Sequence, residues 1–165
     1  MRVRALMALT IGANLLLVVP STAPAQTVPP EYGLSVTNEQ AKEAAGVALA
    51  EARKNSWRMA VAVVGPDGNL VYFEKLDGTQ NASGSLALAK ARTSALFRRP
   101  SKAFADQFAA GNTGFMSFPE DARPIASEGG MPIIQNGRLI GALGVSGGTG
   151  PQDGQVATAG ANAVK

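Results

Sequence analysis

Asn136-Gly137 sits between two apolar runs, MPIIQ (131–135) and RLIGALGVSG (138–147). The dipeptide accepts the positive φ angles of a tight hairpin turn, whose twist matches that of two antiparallel strands. A second apolar pair, RMAVAVVG (58–65) and LVYFEK (70–75), flanks Pro66-Asp67-Gly68-Asn69. There Pro presets φ and Asp-Gly allows the reversal. Two hairpins demand antiparallel pairing. They leave no room for the parallel strand-helix-strand unit that a dinucleotide-binding loop requires.

Helical patterns separate the hairpins. Thr37 with Gln40 three residues on forms a capping box, and Ala41, Ala44, Ala45, Ala48 and Ala52 share one face, so 37–55 reads as a helix. A second helix runs over 85–99 and stops before Pro100. A short third helix covers 101–111, with Gly111 as its stop. Residues 112–130 lack a period and are rich in Gly, Pro and Ser; a loop of this length in a compact domain points to function. A last helix follows at 151–165. The order is α-β-β-α-α-β-β-α, an α+β domain whose helices cover the sheet.

The chain starts differently. Arg2 and Arg4 precede an apolar run, and Ala23-Pro24-Ala25 ends it with small residues. This is the pattern of a secretory signal peptide, with cleavage expected after Ala25. The run is short for a membrane span, so no stable membrane insertion is expected after cleavage. The protein is expected to be exported, to the periplasm or beyond the cell. Residues 26–36 read as an extended or loose arm, and 37–165 as one domain. Two of the 15 basic residues leave with the signal, so 13 face 12 acidic ones and the net charge falls from +3 to +1. A near-neutral chain offers no basic patch for nucleic acid.

The chain has no Cys and no His. Disulfides, thiolate nucleophiles, Ser-His-Asp triads and imidazole metal sites are therefore excluded. Gly144-Val145-Ser146-Gly147-Gly148 has the G-x-S-x-G spacing of a hydrolase nucleophile, but no His follows it. A serine-lysine pair with Lys90 or Lys102 is the remaining version of that chemistry. The same glycines read first as a sharp strand-to-helix turn that doubles as a pocket wall, with backbone amides also open to an anion. Glu128-Gly129-Gly130 places a carboxylate beside a glycine pair, suited to orienting a ligand or accepting a proton. Lys90, Arg92, Arg98 and Arg99 offer cations for carboxylate or phosphate groups. Phe104, Phe108, Phe115, Met116 and Phe118 are apolar enough to line a pocket.

Four blocks in order, MAVAVVGPDGNLVYFEKLDG, SLALAKARTSALFRRP, EGGMPI and NGRLIGALGVSGGTGPQDGQVATAGANAV, resemble the GlcG/HbpS family of haem-binding or haem-degrading proteins. The resemblance covers residues 38–164. It implies a profilin-like antiparallel sheet of about five strands flanked by helices, and assembly as homo-oligomers. It also implies haem or a related tetrapyrrole as the ligand. The fifth strand is expected from the LVYFEK region or the long loop. The positions carrying the resemblance are Lys90, Arg92, Glu128, Gly129, Gly130, Pro132, Gly144, Ser146, Gly147 and Gly148. Some relatives contact haem through histidine, and relatives tend to carry an acid where this chain has Gly154. Any haem iron here must look to Met59, Met116, Met131, Tyr32, Tyr72, a hydroxyl or water, with Met116 and Tyr72 foremost. Arg98, Arg99 and Arg123 are the candidates for its propionates.

Three functions follow from these residues. One is an exported small-molecule binder holding a tetrapyrrole. Another is an enzyme acting on a small anionic metabolite, with Glu128 as acid or base and the Ser146 loop as donor. The third is a regulatory or structural oligomer with a vestigial pocket.

Overall fold

The computed structural model describes residues 28–165. The signal peptide expected over residues 1–25 lies outside them. A five-stranded sheet, β1 (Glu31–Tyr32), β2 (Ala60–Val64), β3 (Leu70–Lys75), β4 (Gly130–Gln135) and β5 (Arg138–Ser146), carries four helices. These are α1 (Asn38–Lys54), α2 (Ser83–Phe97), α3 (Lys102–Ala109) and α4 (Gly150–Ala161). Among the described residues no helix is long and apolar enough to cross a membrane.

Both hairpins form at the expected places. β2 pairs antiparallel with β3, and β4 with β5. Asn136 and Gly137 both take positive φ, 51° and 75°, as the tight turn requires. β5 is central: β4 lies along one side, and β2 pairs with Ala142–Ser146 on the other. The fifth strand comes from neither expected region. It is β1, in the N-terminal arm, which pairs parallel with Arg138 and Leu139. Gly33 and Val36 then donate backbone hydrogen bonds to Leu139 and Ile140. Two residues carry too little periodicity for a strand to be read from them; the pairing is supplied by the free edge of β5.

Alternation along β2 sorts the two faces. Val61 and Val63 face α1 and α4, joining Leu49, Ile133, Leu143, Val145 and Val156 in the main core. Ala60, Ala62 and Val64 face α2, where Ala87, Ala91, Ala95 and Ala142 complete a second, small-residue core. Small residues on both sides let backbone approach backbone. A methyl group at Gly144 would fall 2.5 Å from the Ala91 nitrogen, and one at its strand partner Gly130 would collide with the Lys90 carbonyl. Glycine is required at both because α2 rests directly on the sheet.

The capping box of α1 forms as read: Gln40 N donates to Thr37 Oγ1 at 3.2 Å and Thr37 N to Gln40 Oε1 at 3.0 Å. α4 begins with a second capping box, Thr149 with Gln152. The long loop 112–130 holds two 3-10 turns, Gly114–Ser117 and Glu120–Ala122.

Candidate functional site

The glycine loop and the Glu128 corner meet around one buried ion pair. Lys90 on α2 donates to Asp153 Oδ2 on α4 at 2.6 Å, and both side chains are 3% exposed. The same ammonium donates to the Val145 carbonyl at 3.1 Å. The helices lie on opposite faces of the sheet, so the contact passes through it. Gly129 makes the opening: φ is +121°, and a methyl there would sit 2.8 Å from Asp153 Cβ and 3.1 Å from Lys90 Nζ. Asp153 Oδ1 accepts the Gly148 amide at 2.9 Å, which fixes the turn after β5. Burial pushes the Asp153 carboxyl above its ordinary value, while Lys90 and the Gly147 and Gly148 amides pull it back.

Glu128 lies just outside this pair, beside Gly150 and Gly154 in the first two turns of α4. A carboxylate is favourable there because the helix N-terminus is electropositive. Glu128, Gly129, Gly130, Lys102, Met131 and Thr158 line a cleft of about 420 Å³. Lys102 itself pairs with Asp106 at 2.6 Å, which raises its pKa, with Glu128 adding to the effect.

A larger cleft, about 610 Å³, opens between the end of α2, α3 and the turn at 111–118. Its wall is aromatic. Phe104 meets Phe97 edge-on at 4.8 Å and Phe115 at 5.5 Å, and Phe118 stacks near-parallel to Phe97 at 6.4 Å. The Arg99 guanidinium lies 5.8 Å over the Phe104 ring and lines the same cleft. Met116, 47% exposed, follows Phe115 in the turn that forms the wall.

A family model described as haem degrading protein HbpS-like matches residues 36–162. The chain belongs to the HbpS-like family. Within it, GlcG of Escherichia coli strain K12 is 36% identical over 96 residues, 58% of this chain and 69% of GlcG. A double mutant of Streptomyces reticuli HbpS is 29% identical, covers 88% of this chain and 99% of its own, and superposes with a TM-score of 0.73. A PduOC:heme complex shares the fold at 22% identity, with a TM-score of 0.73 over 80% of this chain and 96% of that one.

In this HbpS-like chain the residues singled out in the sequence do not share one pocket. Lys90, Gly129, Gly147 and Gly148 gather at the Asp153 pair, with Glu128 and Gly130 beside it. Arg92 points away, donating to the Gly68 carbonyl at 3.1 Å and lining a cleft with Arg123. Ser146 is 3% exposed, and neither Lys90 nor Lys102 hydrogen-bonds it among the described residues. Met116 and Tyr72 have different surroundings: Tyr72 packs on the α1 and α4 core, whereas Met116 follows Phe115, whose ring packs on Phe104. The Tyr72 hydroxyl donates to Glu74 at 3.0 Å, which raises its pKa. Arg98 is tied to Pro30 and lies over Tyr32, and Arg123 donates to the Phe118 carbonyl. Asp153 escaped the sequence reading. Its signal is weak, an acid in the first turn of a capped helix, which alone suggests only a dipole contact.

Proposed function

We propose that this protein binds haem or a related tetrapyrrole in the aromatic cleft, as an exported protein. The observation that carries the reading is the cleft itself. Its volume lies within the range of small-molecule sites, four phenylalanine rings supply apolar faces, and Arg99 stands at its edge. The family description and the heme named in the PduOC complex point to the same ligand class. The donor set suits it too. With no His or Cys, the soft donor next in sequence to the cleft wall is the Met116 thioether, which follows Phe115. Tyr72 is a poor rival, because its hydroxyl proton is held by Glu74.

The rings would cover the macrocycle, Arg99 would pair a propionate, and Met116 would offer its sulfur to the metal. Bound haem supplies a redox-active iron, which the protein tunes through the ligand and the apolar surroundings. The chain is also read as a homo-oligomer: β3 is a sheet edge carrying exposed Leu70 and Phe73. Sedimentation velocity tests that part.

Haemin titration followed in the Soret region tests the main reading. A saturable, shifted band supports it, with Met116→Ala moving the band and Tyr72→Phe leaving it in place. A spectrum that remains that of free haemin removes it. The rival reading, acid–base chemistry on a small anionic substrate, rests on the Glu128 and Lys102 cleft. Glu128→Gln would abolish such an activity and leave haemin binding untouched.

A further inference from the structure

We propose that a further cleft, centred on Arg58, is a binding site for a small organic carboxylate. It shares no lining residue with any of the clefts described above. Ser56, Trp57, Arg58, Gly78, Gln80, Gly147, Gly148 and Gln152 enclose about 380 Å³. The lining holds one cation and no acid. Among the described residues Arg58 makes no ion pair and no side-chain hydrogen bond. An arginine without a partner has its full fork of donors available for a planar carboxylate.

The exposed Arg58 side chain lies against the backbone at Gly78. Gly78 has φ +75°, and a methyl on it would fall 2.7 Å from Arg58 Nη1 and 3.2 Å from Cδ and Cζ. The side chain therefore rests on bare backbone. The facing wall is fixed by close packing and a hydrogen bond. A methyl at Gly147, φ +151°, would lie 2.8 Å from Met59 Cα, and the Gly148 amide is anchored by Asp153. Because Asp153 occupies those amides, the free donors come from side chains. Gln152 accepts the Thr149 amide through Oε1, which leaves its Nε2 to donate. Gln80 and Ser56 add an amide and a hydroxyl, and the Trp57 indole gives an apolar surface. One guanidinium, several neutral donors and one ring suit a carboxylate carried on a small carbon skeleton.

Trp57 is the only tryptophan in the chain and lines this cleft, so its fluorescence reports from the cleft wall. The test titrates the full chain with acetate, benzoate and inorganic phosphate, exciting the indole. Saturable change with acetate or benzoate is expected, weakened about tenfold or more in Arg58→Gln. Arg138→Gln, an exposed arginine elsewhere, should titrate like the parent, and circular dichroism should show both variants folded. Three results would overturn the proposal. One is emission unmoved by either carboxylate, another is Arg58→Gln titrating like the parent, and the third is an Arg58-dependent response to phosphate alone. Haemin binding by Arg58→Gln should be unchanged, so failure here is distinguishable from failure of the tetrapyrrole reading.

Discussion

Lys90 Nζ and Asp153 Oδ2 are 2.6 Å apart although they belong to helices on opposite faces of one sheet. Gly129, with no side chain, leaves the gap through which they meet. The pair therefore ties together both helical layers, the start of β4 and the turn after β5.

Removing one partner of a buried ion pair costs about 3–5 kcal/mol, because the other charge stays buried without compensation. Lys90→Met and Asp153→Asn should each lose stability on that scale in urea unfolding. The double variant Lys90→Met/Asp153→Asn should recover part of the loss, since neither charge then remains. Single variants within about 0.5 kcal/mol of the parent would contradict the role given to the pair.

Two glycine-to-alanine changes should act with opposite signs. At Gly144 a methyl meets the α2 backbone, so Gly144→Ala should cost about 1–3 kcal/mol or more as α2 is forced off the sheet. At Gly46, an exposed position inside α1, nothing lies within 4 Å of the new methyl. There alanine should stabilise by up to about 1 kcal/mol through helix propensity. Thermal melts of the two variants check the contrast.

Tyr72 should ionise above the ordinary tyrosine value of about 10, because its hydroxyl donates to the Glu74 carboxylate. The folded pKa is raised above the unfolded one. Its contribution to stability is therefore complete below about pH 10 and lost as pH climbs through the folded value. Phenolate absorbance, with Tyr72→Phe subtracted, measures the titration. Glu74→Gln should bring it back down.

Arg99→Gln should weaken haemin binding about five- to tenfold if the guanidinium pairs a propionate. The difference from the parent should shrink as salt is added. Equal affinities at low ionic strength would place the propionates elsewhere. A fluorescence-free readout, Soret absorbance, keeps this measurement clear of the Trp57 cleft.

Much of the fold was legible in the residues. Asn136-Gly137 and Pro66-Asp67-Gly68-Asn69 announce their hairpins because a turn's φ angles are set by the residues within it. Thr37 and Gln40 announce the start of α1 for the same local reason. β1 was not legible, since two residues gain their pairing from the distant edge of β5. The candidate site was legible in its parts and not in its grouping. Lys90 and Arg92, two residues apart on one helix, point to different surroundings: one to the buried pair, the other to Gly68.

By itself, then, the sequence determined the hairpins, the helices, the glycine-rich turns and the exclusion of imidazole and thiolate chemistry. Each depends on the composition or on neighbours a few residues away. Only the tertiary structure decided which side chains meet. Lys90 reaches Asp153 across 63 residues, and Arg58 comes to rest on Gly78 opposite the turn at Gly147. Those meetings follow from strand register and from how closely each helix can approach the sheet. Both are set by packing over the whole domain, which no local stretch of residues contains.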